Sequence, residues 1–389
     1  MRILHTADWH LGRTLEGRSR LEEHAAFMDE LHRIVKEEQI DAVVMAGDVF
    51  DTVNPPAAAE QLFYDSVSRL ANKGERPIIL IAGNHDNPDR LSAASPLASE
   101  QAITIIGYPT EVVVSVPIKR TDEKLNVAAL AYPSESRLNE LLAPTVDETL
   151  LRDEYDVRVR HLFTKMSEQF SSDAVNIAMS HIYVAGSSST ESERPIEVGG
   201  AYTVRATSMP AAAQYVALGH LHRPQIIKNA PTIAKYSGSP LAFSFSEAGY
   251  AKSVSIIDVV PGKEANVSEV YLSSGKPLVR WKAKQGLAEV YQWLDEGRDK
   301  EAWIDLEIHL EHSLSLEEIH RLRKLHTGFI HIRPVFAEMA ERELVRAANV
   351  PIDELFNRFY KRQSGGAEPE PELTRLFLEL INEEKEESQ

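Results

Sequence analysis

Pro77-Ile78-Ile79-Leu80-Ile81-Ala82 runs directly into Gly83-Asn84-His85-Asp86. The first six residues form an apolar, isoleucine-rich run that predicts a buried strand. The glycine predicts a sharp backbone turn where that strand ends. An amide, an imidazole and a carboxylate then stand in a row. Polar residues often follow a strand merely to make a turn, so the reading depends on whether the pattern recurs.

It recurs along the chain. Residues 2–7 predict a strand ending at Asp8-Trp9-His10, and Asp41–Ala46 one that ends in Gly47-Asp48-Val49-Phe50-Asp51. Val175–Met179 leads to Ser180-His181, and Tyr215–Leu218 to Gly219-His220-Leu221-His222. Between the early strands, Leu21, Met28, Leu31 and Val35 take helical spacing. A second helix is expected from Ala57 to Leu70 after Asn54-Pro55-Pro56, and a third from Pro88 to before Thr104. This β-α-β-α-β order predicts a mostly parallel sheet covered by helices. Its carboxyl edge would gather Asp8, His10, Asp48, Asn84, His181, His220 and His222 on one rim, although some are more than 200 positions apart. Each i, i+2 pair would place both side chains on one side of an extended segment.

Carboxylates, imidazoles and an amide oxygen without thiolate suit manganese, iron, zinc or magnesium, and the histidines favour transition metals. The set suffices for two ions roughly 3.5–4 Å apart, an arrangement suited to in-line displacement at phosphorus. Hydrolysis of a phosphate ester is the natural reaction.

Composition sets the bounds. A length of 389 residues implies two or three domains, and 43% apolar with 26% charged residues describes a globular protein. The absence of cysteine excludes disulfides, thiolate zinc sites and cysteine nucleophiles. The formal charge of −17 opposes nucleic-acid binding; residues 368–389 contribute −6 of it, eight acidic against two basic. No apolar run reaches membrane-spanning length, and the opening residues enter a strand at once, so an intracellular protein is expected.

Further along, Ile103–Ala131 predicts short strands with a hairpin tip at Asp122-Glu123-Lys124, and a charged helix is expected over about 147–169. Ile233–Val260 alternates as a second sheet would. A composition shift near Gly275-Lys276-Pro277 opens a compact α/β unit in which Ser315 and Glu318 form a capping box. Its scattered histidines carry no catalytic pattern. Two short amphipathic helices end the chain; they suit packing on their own domain and a partner surface equally.

In order and spacing, Asp8-x-His10, Gly47-Asp48-x-x-Asp51, Gly83-Asn84-His85-Asp86, His181 and Gly219-His220-x-His222 resemble the calcineurin-like metallophosphoesterases. Asp8-Trp9-His10-Leu11-Gly12-Arg13, Asn84 to Leu91 and Ser180 to Gly186 are similar to one branch, the bacterial nuclease subunits that act with the SbcC ATPase. The resemblance implies an α/β (α+β sandwich) fold of two mixed sheets flanked by helices over 1–275, a capping domain over 276–345 and a C-terminal helix pair over 346–389. It assigns one metal to Asp8, His10, Asp48 and His222, and the other to Asp48, Asn84, His181 and His220. His85 becomes the residue that protonates the leaving oxygen or stabilises the transition state, with Asp51 and Asp86 orienting imidazoles.

The same resemblance implies two divalent ions, Mn²⁺ with Mg²⁺ as the alternative, and double-stranded DNA ends and hairpins as substrate in repair and recombination. It also implies a homodimer through Leu62, Phe63 and Leu97, and SbcC binding through Leu355, Phe356, Phe359, Leu373, Phe377 and Leu380. No membrane is involved, and the location is cytoplasmic at the nucleoid. Arg13, Arg18, Arg90 and Arg194 are the expected DNA contacts, from their closeness to the motifs. Relatives from archaea and eukaryotes carry histidine where Asp51 stands, so strand handling tied to that histidine does not carry over. A small-substrate phosphatase or phosphodiesterase and a non-catalytic metal-binding scaffold are the alternatives.

Overall fold

The computed structural model describes residues 1–142, 155–194, 202–336, 352–363, Pro369 and 373–378. It divides into two compact units, Met1–Arg280 with Glu301–Ile304, and Trp281–Lys300 with Asp305–Gln389.

The first unit is built on two six-stranded sheets. Four parallel strands, β1 (Arg2–Thr6), β2 (Ala42–Met45), β3 (Ile78–Ile81) and β4 (Ile103–Ile106), lie side by side. Helices α1 (Leu21–Glu37) and α2 (Ala57–Ala71) supply the crossovers. Their buried residues, among them Phe27, Leu31, Phe63 and Val67, pack against Leu4, Val43, Met45 and Leu80 on the outer face. The register pairs Thr6 with Met45 and Met45 with Leu80, so these strand ends are level.

The expected third helix is two short ones, α3 (Pro88–Ser92) and α4 (Ser95–Ser99). Pro96 has no N–H for a continuous ladder but fits the first turn of a new helix. The next hairpin joins β5 (Val114–Ile118) and β6 (Glu123–Leu130). Asp122 has a positive φ of 54° in its turn, whereas Glu123 and Lys124 already belong to β6. Among the described residues, α5 (Glu135–Leu142) and α6 (Tyr155–Ser167) follow; the start of the helix expected over about 147–169 lies outside the described residues.

The second sheet contains β5, β6, β7 (Val175–His181), β8 (Tyr215–Gly219), β9 (Gln225–Ile226) and β10 (Ala234–Tyr236), in the order β9-β10-β8-β7-β6-β5. Strands β6, β7, β8 and β10 are parallel. Val159, Leu162, Phe163 and Met166 of α6 cover its outer face. Its inner face meets the first sheet through Val127, Ile177, Met179 and Ala217 against Ile3, Val44, Ile79 and Ile81.

The stretch expected to belong to a second sheet does so only in part. Its β10 joins the second sheet, while β11 (Ser253–Asp258) returns to the first and pairs antiparallel with β1. Strand β12 (Asn266–Tyr271) extends that edge. Strand β10 has three residues and β11 six, and both are almost wholly buried, so neither carries an alternation that names its neighbour.

Toward the C-terminus, β13 (Leu278–Ala283), α7 (Leu287–Asp295), β14 (Trp303–Leu310), α8 (Leu316–Leu325) and β15 (Phe329–Phe336) build a three-stranded sheet, order β13-β14-β15, with two helices. The Ser315–Glu318 capping box starts α8. In α9 (Ile352–Gln363), Phe356 stacks on Phe377 at 4.1 Å. Leu355, Phe359 and Leu373 are exposed, and Leu380 lies outside the described residues.

Candidate metal centre

The seven predicted ligands meet where the carboxyl ends of both sheets converge, not along one rim. Strands β1, β2 and β3 deliver Asp8, His10, Asp48 and Asn84; β7 and β8 deliver His181, His220 and His222. The i, i+2 pairs do not reach the site on extended backbone. Asp8, His10, Asp48 and His220 have φ of 54°, 46°, 54° and 107°. These left-handed conformations are rare for residues with a side chain, and such strain concentrates at functional sites. The segment after β1 is tied to the one after β2 by Asp8 N donating to Gly47 O and His10 N to Asp48 O, both at 3.0 Å.

Gly83 serves a different need from the sharp turn expected of it. A Cβ there would lie 2.1 Å from Asp48 Oδ1 and 2.4 Å from its backbone nitrogen. Gly219 is equally constrained, since its Cβ would sit 1.9 Å from Ala46 O. These glycines let neighbouring strand ends close on each other.

Inside the site, imidazole, amide and carboxylate groups crowd together. His181 Nδ1 donates to Ala46 O at 2.9 Å, and its Nε2 meets Asn84 Oδ1 at 2.8 Å and Asp48 Oδ2 at 3.4 Å. His10 Nε2 lies 3.0 Å from His222 Nε2 and 3.5 Å from Asp48 Oδ2. His220 Nδ1 is 3.3 Å from Asn84 Oδ1. Asp8 Oδ1 accepts from His220 N at 2.9 Å, while its buried Oδ2 has no hydrogen-bond partner. Asp8, His10 and His222 form one cluster with metal-binding spacing; Asp8, Asp48 and His181 form another. Buried carboxylate, amide and imidazole groups that converge around an unpartnered carboxylate oxygen are what a cation would satisfy.

The electrostatics agree. Burial pushes Asp48 up, but His181, its hydrogen bond and His10 hold the carboxyl well below its ordinary range. Burial lowers His181, yet Asp48 and Asp8 more than reverse this and raise it to about 9. Burial, with Asp48 adding to it, raises Asp8, whereas His10 falls to about 3, chiefly through burial. The centre draws positive charge toward Asp48. Its oxygen and nitrogen donors therefore fit divalent ions; Asp8 is common to both clusters, and Asp48 Oδ2 lies between His10 and His181, 3.5 and 3.4 Å away.

His85 is buried beside them, its ring 4.7 Å from that of His10. Its Nδ1 donates to Asp51 O at 2.7 Å and its backbone N–H to Asp48 Oδ1 at 2.9 Å, which directs Nε2 elsewhere. Burial holds its pKa below the ordinary imidazole value. Asp51 Oδ1 lies 3.3 Å from His10 Nδ1. Asp86 does not orient an imidazole. Its carboxylate accepts from Gly83 N, Phe50 N and Val49 N at 2.8, 2.9 and 3.1 Å, and so fastens the β2 and β3 loops together.

The peripheral residues separate. Arg13 is committed to Ser192 O at 2.9 Å, Asp51 at 3.4 Å and the Phe243 ring. Arg90 makes a two-pronged ion pair with Glu60 at 2.8 and 3.1 Å. Arg18 lies over the Trp303 ring. Arg194 is exposed, and its charge helps to lower the His85 pKa. Phe63 is fully buried between Trp9 and Phe50, so it belongs to the core and cannot form a dimer surface. Leu62 is partly buried and Leu97 is 77% exposed.

Ser192, Glu193, Phe243, Glu247 and Lys252 surround His222 and were missed from sequence. Only the Ser244-x-x-Glu247 capping-box spacing gave a local signal.

Comparison with known proteins places this geometry. The calcineurin-like phosphoesterase family matches residues 1–224, and the type 5 capsule protein repressor C-terminal domain matches residues 274–364. The SbcD subunit of the nuclease SbcCD from Bacillus subtilis (strain 168) is 66% identical over 388 residues, covering 100% of this chain and 99% of the relative. The subunit of the same name from Rhodobacter capsulatus is 35% identical over 74% of this chain and 73% of its own length. That of Escherichia coli (strain K12) is 28% identical over 98% of each. With two-sheet fold, convergent ligands and full-length similarity in agreement, the chain belongs to the calcineurin-like phosphoesterases and, within them, to the SbcD subunits of SbcCD nucleases.

Proposed function

We propose that this chain is a two-metal DNA nuclease that cuts double-stranded ends and hairpins, using Mn²⁺ and accepting Mg²⁺. The carrying observation is the convergence of these buried donors, with His10 Nε2 facing His222 Nε2 at 3.0 Å and Asp8 Oδ2 buried without a hydrogen-bond partner. In this reading Asp8, His10, Asp48 and His222 hold one ion, and Asp48, Asn84, His181 and His220 the other. When bound, the ions supply Lewis acidity that activates water and neutralises charge developing at phosphorus.

The chain's own groups do the rest. The Asp51 carbonyl fixes the His85 ring through Nδ1 and turns Nε2 toward the substrate side. The phosphodiester's negative charge favours the protonated imidazole, which opposes the lowering by burial and prepares Nε2 to protonate the leaving oxygen. Asp51 steadies His10, and Asp86 holds the loops carrying Asp48 and His85 in register.

Support for a larger assembly comes from the rest of the chain. SbcC is the ATPase partner, in keeping with the SbcCD name of the relatives, and the C-terminal pair with exposed Leu355, Phe359 and Leu373 is its docking segment. Residues 276–345 act as a DNA-positioning cap. A homodimer forms through Leu97 and Leu62. Arg194 contacts DNA phosphate, and the complex works in repair and recombination at the nucleoid.

Incubation with Mn²⁺, labelled hairpin and blunt duplex DNA, and a generic phosphomonoester tests the activity. DNA should be cleaved, and His85→Ala should lose cleavage by about 100-fold or more while keeping its metal content. Turnover of the monoester with DNA untouched would establish a small-substrate phosphatase instead.

A further inference from the structure

His222 carries a support that runs outward from the metal centre. Its Nδ1 lies 2.5 Å from Ser192 Oγ, and that hydroxyl donates to Glu247 Oε1 at 2.6 Å. Glu247 is 1% exposed. Phe243 N and Ser244 N also donate to Oε1, at 2.9 and 3.2 Å, and Lys252 Nζ donates to Oε2. The carboxylate is thus surrounded by donors and has the ionised, accept-only form. A serine hydroxyl has one proton, and at 2.6 Å from a carboxylate oxygen that proton lies between the two. Thr190 Oγ1, 2.8 Å from Ser192 Oγ, has its own acceptor in Glu193 Oε2 at 2.7 Å.

Ser192 Oγ therefore accepts from His222, which places a proton on Nδ1. The lone pair of the neutral ring is then on Nε2, the atom that faces His10 Nε2. The His222 backbone is clamped too. Glu193 Oε1 accepts from its N–H at 2.8 Å, and Lys252 Nζ donates to its carbonyl at 3.0 Å.

We propose that Ser192 and Glu247 are positioning residues for His222: the chain Glu247–Ser192–His222 holds the imidazole as its Nδ1–H tautomer and presents Nε2 to a divalent cation. This rests on the metal-centre reading above. Hydrogen-bonded partners of ligating histidines commonly fix ring and tautomer in this way. Glu247→Gln has a specific consequence. If the amide oxygen stays on Lys252, its NH₂ faces Ser192, the hydroxyl donates to Nδ1, and the ring proton moves to Nε2, where it blocks ligation.

The test is a Mn²⁺ titration of the full-length, metal-stripped protein, read by the electron paramagnetic resonance of free Mn²⁺, with the Tm of the metal-free protein measured alongside. Wild type should take up two ions. Ser192→Ala and Glu247→Gln should each weaken one ion by about 10–100-fold and leave the other unchanged. Ser192→Thr, which keeps the hydroxyl, should restore wild-type uptake, a rescue that loss of packing would not predict. Two ions bound by both weakened variants as tightly as by wild type would overturn this proposal and leave the metal centre standing. A wild-type protein that takes up no Mn²⁺ would remove the metal-centre reading and this proposal together. If Ser192→Ala has no folded Tm transition, Ser192→Cys, of similar size but weak hydrogen bonding, is judged by the same outcomes.

Discussion

Asn84 and His85, adjacent in the chain and given separate tasks in the proposed function, sit on backbone that is pinned from opposite sides. Asp48 Oδ1 takes the His85 N–H at 2.9 Å, and Asp86 takes the N–H of Gly83 at 2.8 Å. Gly83 is the limiting position. Gly83→Ala sets a methyl group against Asp48 backbone and carboxylate, neither of which can yield. The expected outcome is loss of bound Mn²⁺ in elemental analysis with a destabilisation of about 1–3 kcal/mol in urea melts. Wild-type metal content would contradict it. His5, which is not among the predicted ligands, gives a pH prediction. Burial lowers its pKa to about 3 from 6.5, although its Nδ1 has a Tyr215 hydroxyl at 2.9 Å. As pH falls, the unfolded chain takes up this proton first. The neutral buried ring's contribution is thus intact above about pH 6.5 and is lost progressively toward about pH 3. Between about pH 6.5 and 4.5 the loss is about 2–3 kcal/mol. His5→Gln should remove that part of the slope of unfolding free energy against pH; an unchanged slope would refute the assignment.

Helix α2 shows what helical spacing leaves open. Leu62 and Phe63 are neighbours in the same apolar stripe, and such a stripe fits a core and a protein interface equally. The tertiary structure points Phe63 into the outer face of the first sheet and leaves Leu97 of α4 at the surface. Phe63→Ala should therefore cost about 3–5 kcal/mol in chemical denaturation. Leu97→Glu should leave stability within about 0.5 kcal/mol and act on self-association by sedimentation alone. Comparable losses from both would return Leu97 to the core. Helix α1 makes a related point with charge. Its buried Glu23 accepts from Arg20 and Lys276 N, and Glu30 from Ser273 N and Ser274 N, which fastens the segment leading into β13. Their spacing along α1 is visible in sequence, but the partners some 240 positions later are not.

At the scale of the molecule, the catalytic unit and the C-terminal helices are separable in chemistry. All seven predicted ligands lie between Asp8 and His222, within Met1–Arg280. Deletion of residues 351–389 should leave Mn²⁺ uptake intact and abolish co-purification with SbcC; retained association would move the docking surface elsewhere. The same segment carries much of the acidic excess, since −6 of the −17 formal charge lies in residues 368–389. Proximity in sequence does not show which of the expected DNA-contact arginines already have protein partners. Arg13 and Arg90 sit beside the motifs yet are engaged by Asp51 and Glu60.

The sequence by itself determined the strands, the order of their polar ends and the donor chemistry, because each depends on a short apolar run and the residues just after it. The tertiary structure alone decided that two sheets share the ligands, and that Asp8, His10, Asp48 and His220 reach them through left-handed backbone. It alone set Gly83 as a contact point with Asp48 and joined Ser192 and Glu247 to His222. The physical reason is range. Local patterning records which face of an element is buried, whereas metal coordination and hydrogen-bond direction depend on distances between loops that meet only after both sheets have packed.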